Sequence, residues 1–172
     1  MRRICAFISV FVLLIAAGCQ NEGGSKNKPV SPPSVYTANL DVTFGNAETT
    51  AKLIKHSAQK YEVQILSPEI MKPLNLVYEN GKCTATYDGL TFETDIKRFP
   101  QSEFGGLLTQ ALTDIDGGVI TSSTTDTGDI VYSGITNYGD FVLIQDAETG
   151  LWKEFSVDGA SLKILFSDYT TN

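Results

Sequence analysis

The sequence predicts a mainly β fold of the α+β kind, a curved antiparallel half-barrel of about ten strands with one or two helices on its concave side. Three observations predict it. Apolar and polar residues alternate with period two over most of the chain from residue 36 onward, the mark of half-buried antiparallel strands. Tight-turn pairs such as Asn80-Gly81 and Asp88-Gly89 separate the alternating runs. Only one stretch, after Pro100, switches to helical spacing.

Ala38, Leu40, Val42 and Phe44 share one face of a first strand, and Gly45-Asn46 turns it into a second from Ala47 to Lys55. Tyr61, Val63 and Ile65 alternate with Glu62 and Gln64 in a third. In Ser67-Pro68-Glu69, Ser67 is suited to cap and Pro68 to open a single helical turn, which Pro73 stops. Leu74, Leu76 and Tyr78 make a fourth strand, and Asn80-Gly81 accepts the positive φ angles of a type I′ turn into Cys83–Tyr87. Asp88-Gly89 then leads into Leu90–Thr94. The helix has Ser102 to cap it, Glu103 at its positive end, and Phe104, Leu107, Leu108, Ala111 and Leu112 on one face before Gly117-Gly118. Strands resume near 119–123, 129–133, 138–146, 151–157 and 160–167. Phe141-Val142-Leu143-Ile144 is apolar on both faces, which predicts a central strand under the helix. A meander of this size must curl, close or split.

The N-terminus predicts a different environment for residues 1 to 34. Met1-Arg2-Arg3, an uncharged run from Ile4 to Ala17 and then Gly18-Cys19 form the basic, apolar and small-residue regions of a signal peptide over residues 1–18. That run is shorter than the roughly 20 residues a membrane helix needs. Ile15-Ala16-Ala17-Gly18-Cys19 resembles the lipobox of bacterial lipoprotein precursors, with Ala16 where Leu is usual; an ordinary secretory signal is the alternative. The resemblance makes Cys19 the lipid attachment point, on a chain held to a bacterial membrane at its extracytoplasmic face, since several acyl chains anchor stably where one does not. Gln20 after Cys19 suits outer-membrane sorting in a two-membrane cell, whereas a single-membrane cell would keep the protein on its outer leaflet. Gln20–Ser34, rich in Gly, Ser, Asn and Pro, reads as a flexible tether spanning roughly 20 Å on average and about 45 Å extended, followed by one domain over 35–172.

Charge narrows the partners. Residues 19–100 hold nine bases and nine acids, while 101–172 hold Lys153 and Lys163 against eleven acids. This disfavours nucleic acid and a flat anionic membrane as partners of the C-terminal half, and a cationic protein surface or divalent ions suit it better. The alternative is a solvated face that keeps the protein soluble.

Searching for chemistry yields little. His56 is the only histidine, beside Lys55 and Ser57 in an inter-strand turn. Ser57-Ala58-Gln59-Lys60 matches the Ser-x-x-Lys of penicillin-interacting enzymes without their companion elements. Asp114-Ile115-Asp116-Gly117-Gly118 begins like a calcium loop, but Thr125 stands where a bidentate Glu is needed, and a helix end with two acids is the simpler reading. Asp126 and Asp129 flank Gly128 with no second carboxylate placed across a cleft. Cys83, alternating with Ala85 and Tyr87, reads as a small core residue. Neither metal, cofactor nor catalytic residue is expected.

The run Tyr61–Glu69, then Pro73–Gly81, then Tyr87–Leu90, then an amphipathic helix, resembles the superfamily of lipoprotein-localisation factors, LolA and LolB, and its lipid-anchored relatives, over roughly residues 35–172. The resemblance implies a half-open sheet whose concave face shelters acyl chains, or the same scaffold used to sense or regulate a partner. An unusually acidic C-terminal half and a single clear helix depart from the carriers. On this reading Leu40, Val42, Phe44, Tyr61, Val63, Ile65, Leu74 and Leu76, with Phe104 and Leu108 of the helix, are the candidate residues for a lipid or other apolar ligand. The alternatives are a closed packed core and, for function, a cell-envelope protein that binds a protein partner.

Overall fold

The computed structural model describes residues 30–94 and 103–171. Eleven strands form one antiparallel sheet: β1 (Tyr36–Phe44), β2 (Ala47–Ser57), β3 (Lys60–Ser67), β4 (Asn75–Glu79), β5 (Lys82–Tyr87), β6 (Leu90–Thr94), β7 (Thr121–Thr124), β8 (Ile130–Thr136), β9 (Gly139–Gln145), β10 (Trp152–Val157) and β11 (Leu162–Thr171). Among the described residues one α-helix, α1 (Glu103–Asp116), lies between β6 and β7.

The spatial order is β6-β5-β4-β3-β2-β1-β11-β10-β9-β8-β7. Two meanders, β1–β6 and β7–β11, thus join where the first and last strands pair, with Val42 opposite Ile164 and Phe44 opposite Leu162. Both outer edges, β6 and β7, stay open, so the sheet is a half-barrel rather than a closed one. Turn chemistry follows the sequence: Asn80 and Gly81 have φ of 52° and 78°, and Asp88 and Gly89 have 47° and 80°, as type I′ turns require.

Inward-facing residues of both meanders form one core, every member of which lies between Tyr36 and Tyr169. The helix contributes Phe104, Leu108, Ala111 and Leu112, all buried, and half-buried Leu107. It lies close to β4: a Cβ on Gly105 would sit 2.5 Å from the Tyr78 hydroxyl. Gly118, at φ 69°, ends the helix, and Val119 N–H donates back to the Asp114 carbonyl.

Two local expectations are corrected. Ser67 does not cap the turn that follows it. Its Oγ accepts from the Thr50 N–H at 3.0 Å and pairs with Thr50 Oγ1 at 2.8 Å, so the sheet takes the hydroxyl and the turn, Glu69–Met71, is a 3₁₀ turn without a side-chain cap. The 141–144 strand is not central either: β9 lies two strands in from the β7 edge, with Phe141 and Leu143 buried and Val142 and Ile144 half-buried on the convex face. The centre belongs to β1 and β11 because the chain ends meet there.

The signal peptide, Cys19 and the tether up to residue 29 lie outside the described residues, as do Pro100 and Ser102. The end of the tether is held. Val30 N–H donates to the Ala147 carbonyl at 3.1 Å, and Gly150 passes under Val30 and Ser31, with space for no Cβ: one would lie 2.7 Å from the Ser31 oxygen.

Candidate functional site

Nine of the ten candidate residues face one another in the core: Leu40, Val42, Tyr61, Val63, Ile65, Leu74, Leu76, Phe104 and Leu108 are each at most 7% exposed. Phe44 is half-buried at the margin, in the same cluster as Met71 and Ala160. The alternating residues thus lie on the inward face of the sheet, packed in one core with the buried side chains of α1. Burial on this scale is the main stabilising force of the fold, at about 25 cal/mol per Å² of apolar surface.

At one end of the concave face the apolar lining gives way to a polar row. Tyr36, Lys55, Tyr61, Tyr78 and Cys83 are register partners across β1 to β5, so all five project inward at one level. Lys55 is 2% exposed, and its Nζ meets Asp116 Oδ2, on the last residue of α1, at 2.6 Å. Tyr61 donates to the same oxygen at 3.2 Å. The ammonium also lies 5.9 Å and 5.7 Å from the Tyr36 and Tyr61 ring centroids, within cation–π range. A carboxylate at a helix C-terminus opposes the helix dipole, and no basic residue occupies that last turn. Lys55 offsets both and ties the helix to the sheet.

Beside the pair stands an aromatic group from the other meander. Tyr169 packs on Tyr36 with centroids 5.6 Å apart and donates to the Trp152 carbonyl at 2.9 Å. Tyr132 meets the Trp152 ring edge-on, and its hydroxyl donates to Gln145 Oε1 at 3.0 Å. The buried Gln145 amide in turn donates to the Gly150 carbonyl at 2.8 Å. Tyr36 Oη and Trp152 Nε1 are buried and neither makes a well-formed hydrogen bond, although the two lie close enough for the indole N–H to act on the phenol oxygen. The tyrosine hydroxyls are pushed well above their usual pKa. For Tyr36 burial is the chief cause, the neighbouring Trp152 N–H acts the other way, and the Asp116 charge adds to the rise. For Tyr61 the causes are burial and then Asp116, and both phenols stay protonated. Burial likewise pushes the Cys83 thiol up to about 11, which fits the expected inert core residue.

A cleft of 420 Å³ opens beside this row, lined by Tyr61, Tyr78 and Glu79 from the sheet, Gln59 from the β2–β3 turn, and Thr109, Gln110 and Thr113 from the helix. Tyr61 is thus a wall shared by the cleft and the Lys55–Asp116 pair.

The other chemistry-bearing residues are engaged elsewhere. His56 Nε2 lies 3.0 Å from Glu62 Oε2 on the surface. Ser57 Oγ accepts from the Gln59 N–H in the turn, and Lys60 pairs with Glu79. Asp114 accepts from Gln110, and Asp129 and Asp146 both pair with Lys153. Among the described residues, no group of three or more His, Cys, Asp or Glu side chains converges on a possible metal position.

Lys55 and Asp116 escaped the sequence reading. The phase of β2 held the signal for one of them, because Lys55 follows Ala51 and Leu53 on the inward face. Asp116 could not be placed, since nothing local tells a helix-end acid which strand it will meet.

No family model matches this sequence. The search of curated proteins likewise returns no match. Solved structures do share the fold. An uncharacterized conserved protein from Thermus thermophilus superposes with a TM-score of 0.52 at 9% identity, over 81% of this chain and 79% of that one. A DUF1329 family protein from Desulfovibrio piger gives 0.50 at 11% identity, over 81% and 86%. A LolA superfamily protein from Nitrosomonas europaea also matches, at 9% identity over 86% and 90%, with a looser TM-score of 0.43. At such identities the likeness concerns the fold alone.

Proposed function

We propose that this chain is a non-enzymatic lipoprotein, anchored through acylated Cys19 at the extracytoplasmic face of a bacterial membrane, whose half-barrel takes up a lipid acyl chain or similar apolar ligand. One observation carries the reading: a continuous apolar concave face, contributed by both meanders, is covered by a single helix whose C-terminal end is fixed to the sheet by one ion pair. Uptake requires that cover to move, breaking the Lys55–Asp116 and Tyr61–Asp116 contacts while Gly117-Gly118 offers a hinge. The lipobox-like Ile15–Cys19 and the tether behind it support the anchored location.

Native mass spectrometry of the chain from residue 20, which contains the whole described fold, should show a co-purifying lipid, or the protein should take up a fluorescent fatty acid. A protein that does neither would not be an acyl-chain binder.

The filled core favours a second reading, an envelope-protein partner bound through the acidic C-terminal half, where Glu148 and Asp158 are exposed. Pull-down from envelope extract separates the two, since partner capture through that face would weaken at high salt.

A further inference from the structure

We infer that the ligand carries an anionic oxygen head, a carboxylate or a phosphate, received by Lys55, Tyr61 and Tyr36, with Trp152 beside them, in the place the Asp116 carboxylate now holds. This rests on the acyl-binding reading and specifies its ligand.

The donor set points to the ligand class. A lysine ammonium and an indole N–H can only donate, and the two phenols, held protonated, each have a hydrogen to give. Lys55, Tyr61 and Tyr36 thus gather at the polar end of an otherwise apolar cradle, with the Trp152 N–H beside Tyr36, and the acceptor supplied by the chain itself is Asp116, which Lys55 and Tyr61 share through Oδ2. Tyr36 Oη and Trp152 Nε1 make no well-formed hydrogen bond although Tyr36 is 1% and Trp152 2% exposed. A buried donor without a well-formed bond is unfavourable, so an oxygen-bearing head that reached Lys55, Tyr61 and Tyr36 would complete the site. Asp116 rides on the helix that must move to admit a chain, so its departure leaves a buried cation uncompensated. Neutral heads cannot replace that charge. The cleft walled by Tyr61 and Thr113 gives a polar head a route to the same point.

The only tryptophan of the chain is Trp152, so its emission reports directly on the site. Palmitic acid, the matching uncharged alcohol and a lysophosphatidylglycerol would be titrated into the chain from residue 20, below their micellar concentrations. We expect the acid, the lysophospholipid or both to shift Trp152 emission and to bind at least about tenfold more tightly than the alcohol, the margin a hydrogen-bonded charge supplies. The two anionic arms tell carboxylate from phosphate. Lys55→Met should abolish the preference while keeping alcohol binding, Lys55→Arg should retain it, and Asp116→Asn, which removes the competing carboxylate, should strengthen acid binding. Equal affinity for charged and uncharged lipids would overturn the inference and leave acyl binding standing. Absence of binding by all three would overturn the acyl-binding reading and the inference together.

Discussion

Lys55 and Asp116 would fare differently if each lost the other. The Lys55 side chain is 3% exposed, whereas that of Asp116 is 21% exposed and also accepts from Tyr61. Asp116→Asn therefore strands a charge in the core, while Lys55→Met leaves one that water can reach. We expect Asp116→Asn to cost about 3 kcal/mol, the lower end for an uncompensated buried charge, and Lys55→Met distinctly less, with the double variant recovering part of the loss; urea denaturation midpoints check the order. Glu62 gives the acid limb. Burial acts to raise its pKa, but hydrogen bonds from Gln64, His56 and Asn75 outweigh it and hold the carboxyl below its usual range. Since the unfolded carboxyl takes up its proton near pH 4.3, at about the usual glutamate value, the stabilisation is complete above that pH and is lost as pH falls through the lower folded value. Unfolding midpoints followed from about pH 5 down to pH 3 should fall less steeply for Glu62→Gln than for the unaltered chain.

The elements themselves were largely legible because their determinants are local. Asn80-Gly81 specifies its turn by φ preference, and Leu40, Val42, Val63 and Ile65 declare their face by alternation, so strands, turns and lining followed from short windows. Ser67 misled because a sheet partner seventeen residues away competes for its hydroxyl. The 141–144 run misled because apolar side chains on both faces record burial and not position in the sheet. The seating of α1 was equally hidden, because nothing local shows that Gly105 lets the backbone approach Tyr78. Ala would favour the helix by about 1 kcal/mol, but its Cβ would meet a buried ring with little freedom to retreat. We expect Gly105→Ala to destabilise the fold by a net of about 1 kcal/mol, the middle of the overpacking range less the propensity gain, and thermal unfolding measures the sign.

At the scale of the whole molecule, closure depends on strands at opposite ends of the chain. β1 pairs with β11 across more than a hundred residues of sequence, with Tyr36 opposite Thr171, and this pairing sets the two meanders side by side beneath one helix. No short window contains that contact, which is why strand count and curvature could be anticipated while the identity of the central strands and the Lys55–Asp116 tie could not. The same topology predicts how the molecule divides. A fragment ending at residue 94 would hold β1 to β6 with the β1 edge bare and its apolar face uncovered; one beginning at residue 95 would hold the helix and β7 to β11 with the β11 edge bare. Each would expose the inner face that the other covers, and an isolated open sheet with one uncovered apolar face cannot offset the conformational entropy of ordering its chain, at about 1–2 kcal/mol per residue. We expect residues 20–94 and 95–172, made separately, to lack a cooperative thermal transition by far-ultraviolet circular dichroism, and an equimolar mixture to regain one at a temperature that rises with fragment concentration, as association requires. A cooperative transition in either fragment alone would show that one meander folds without the other, and the central β1–β11 pairing would then join two folded units and not create one.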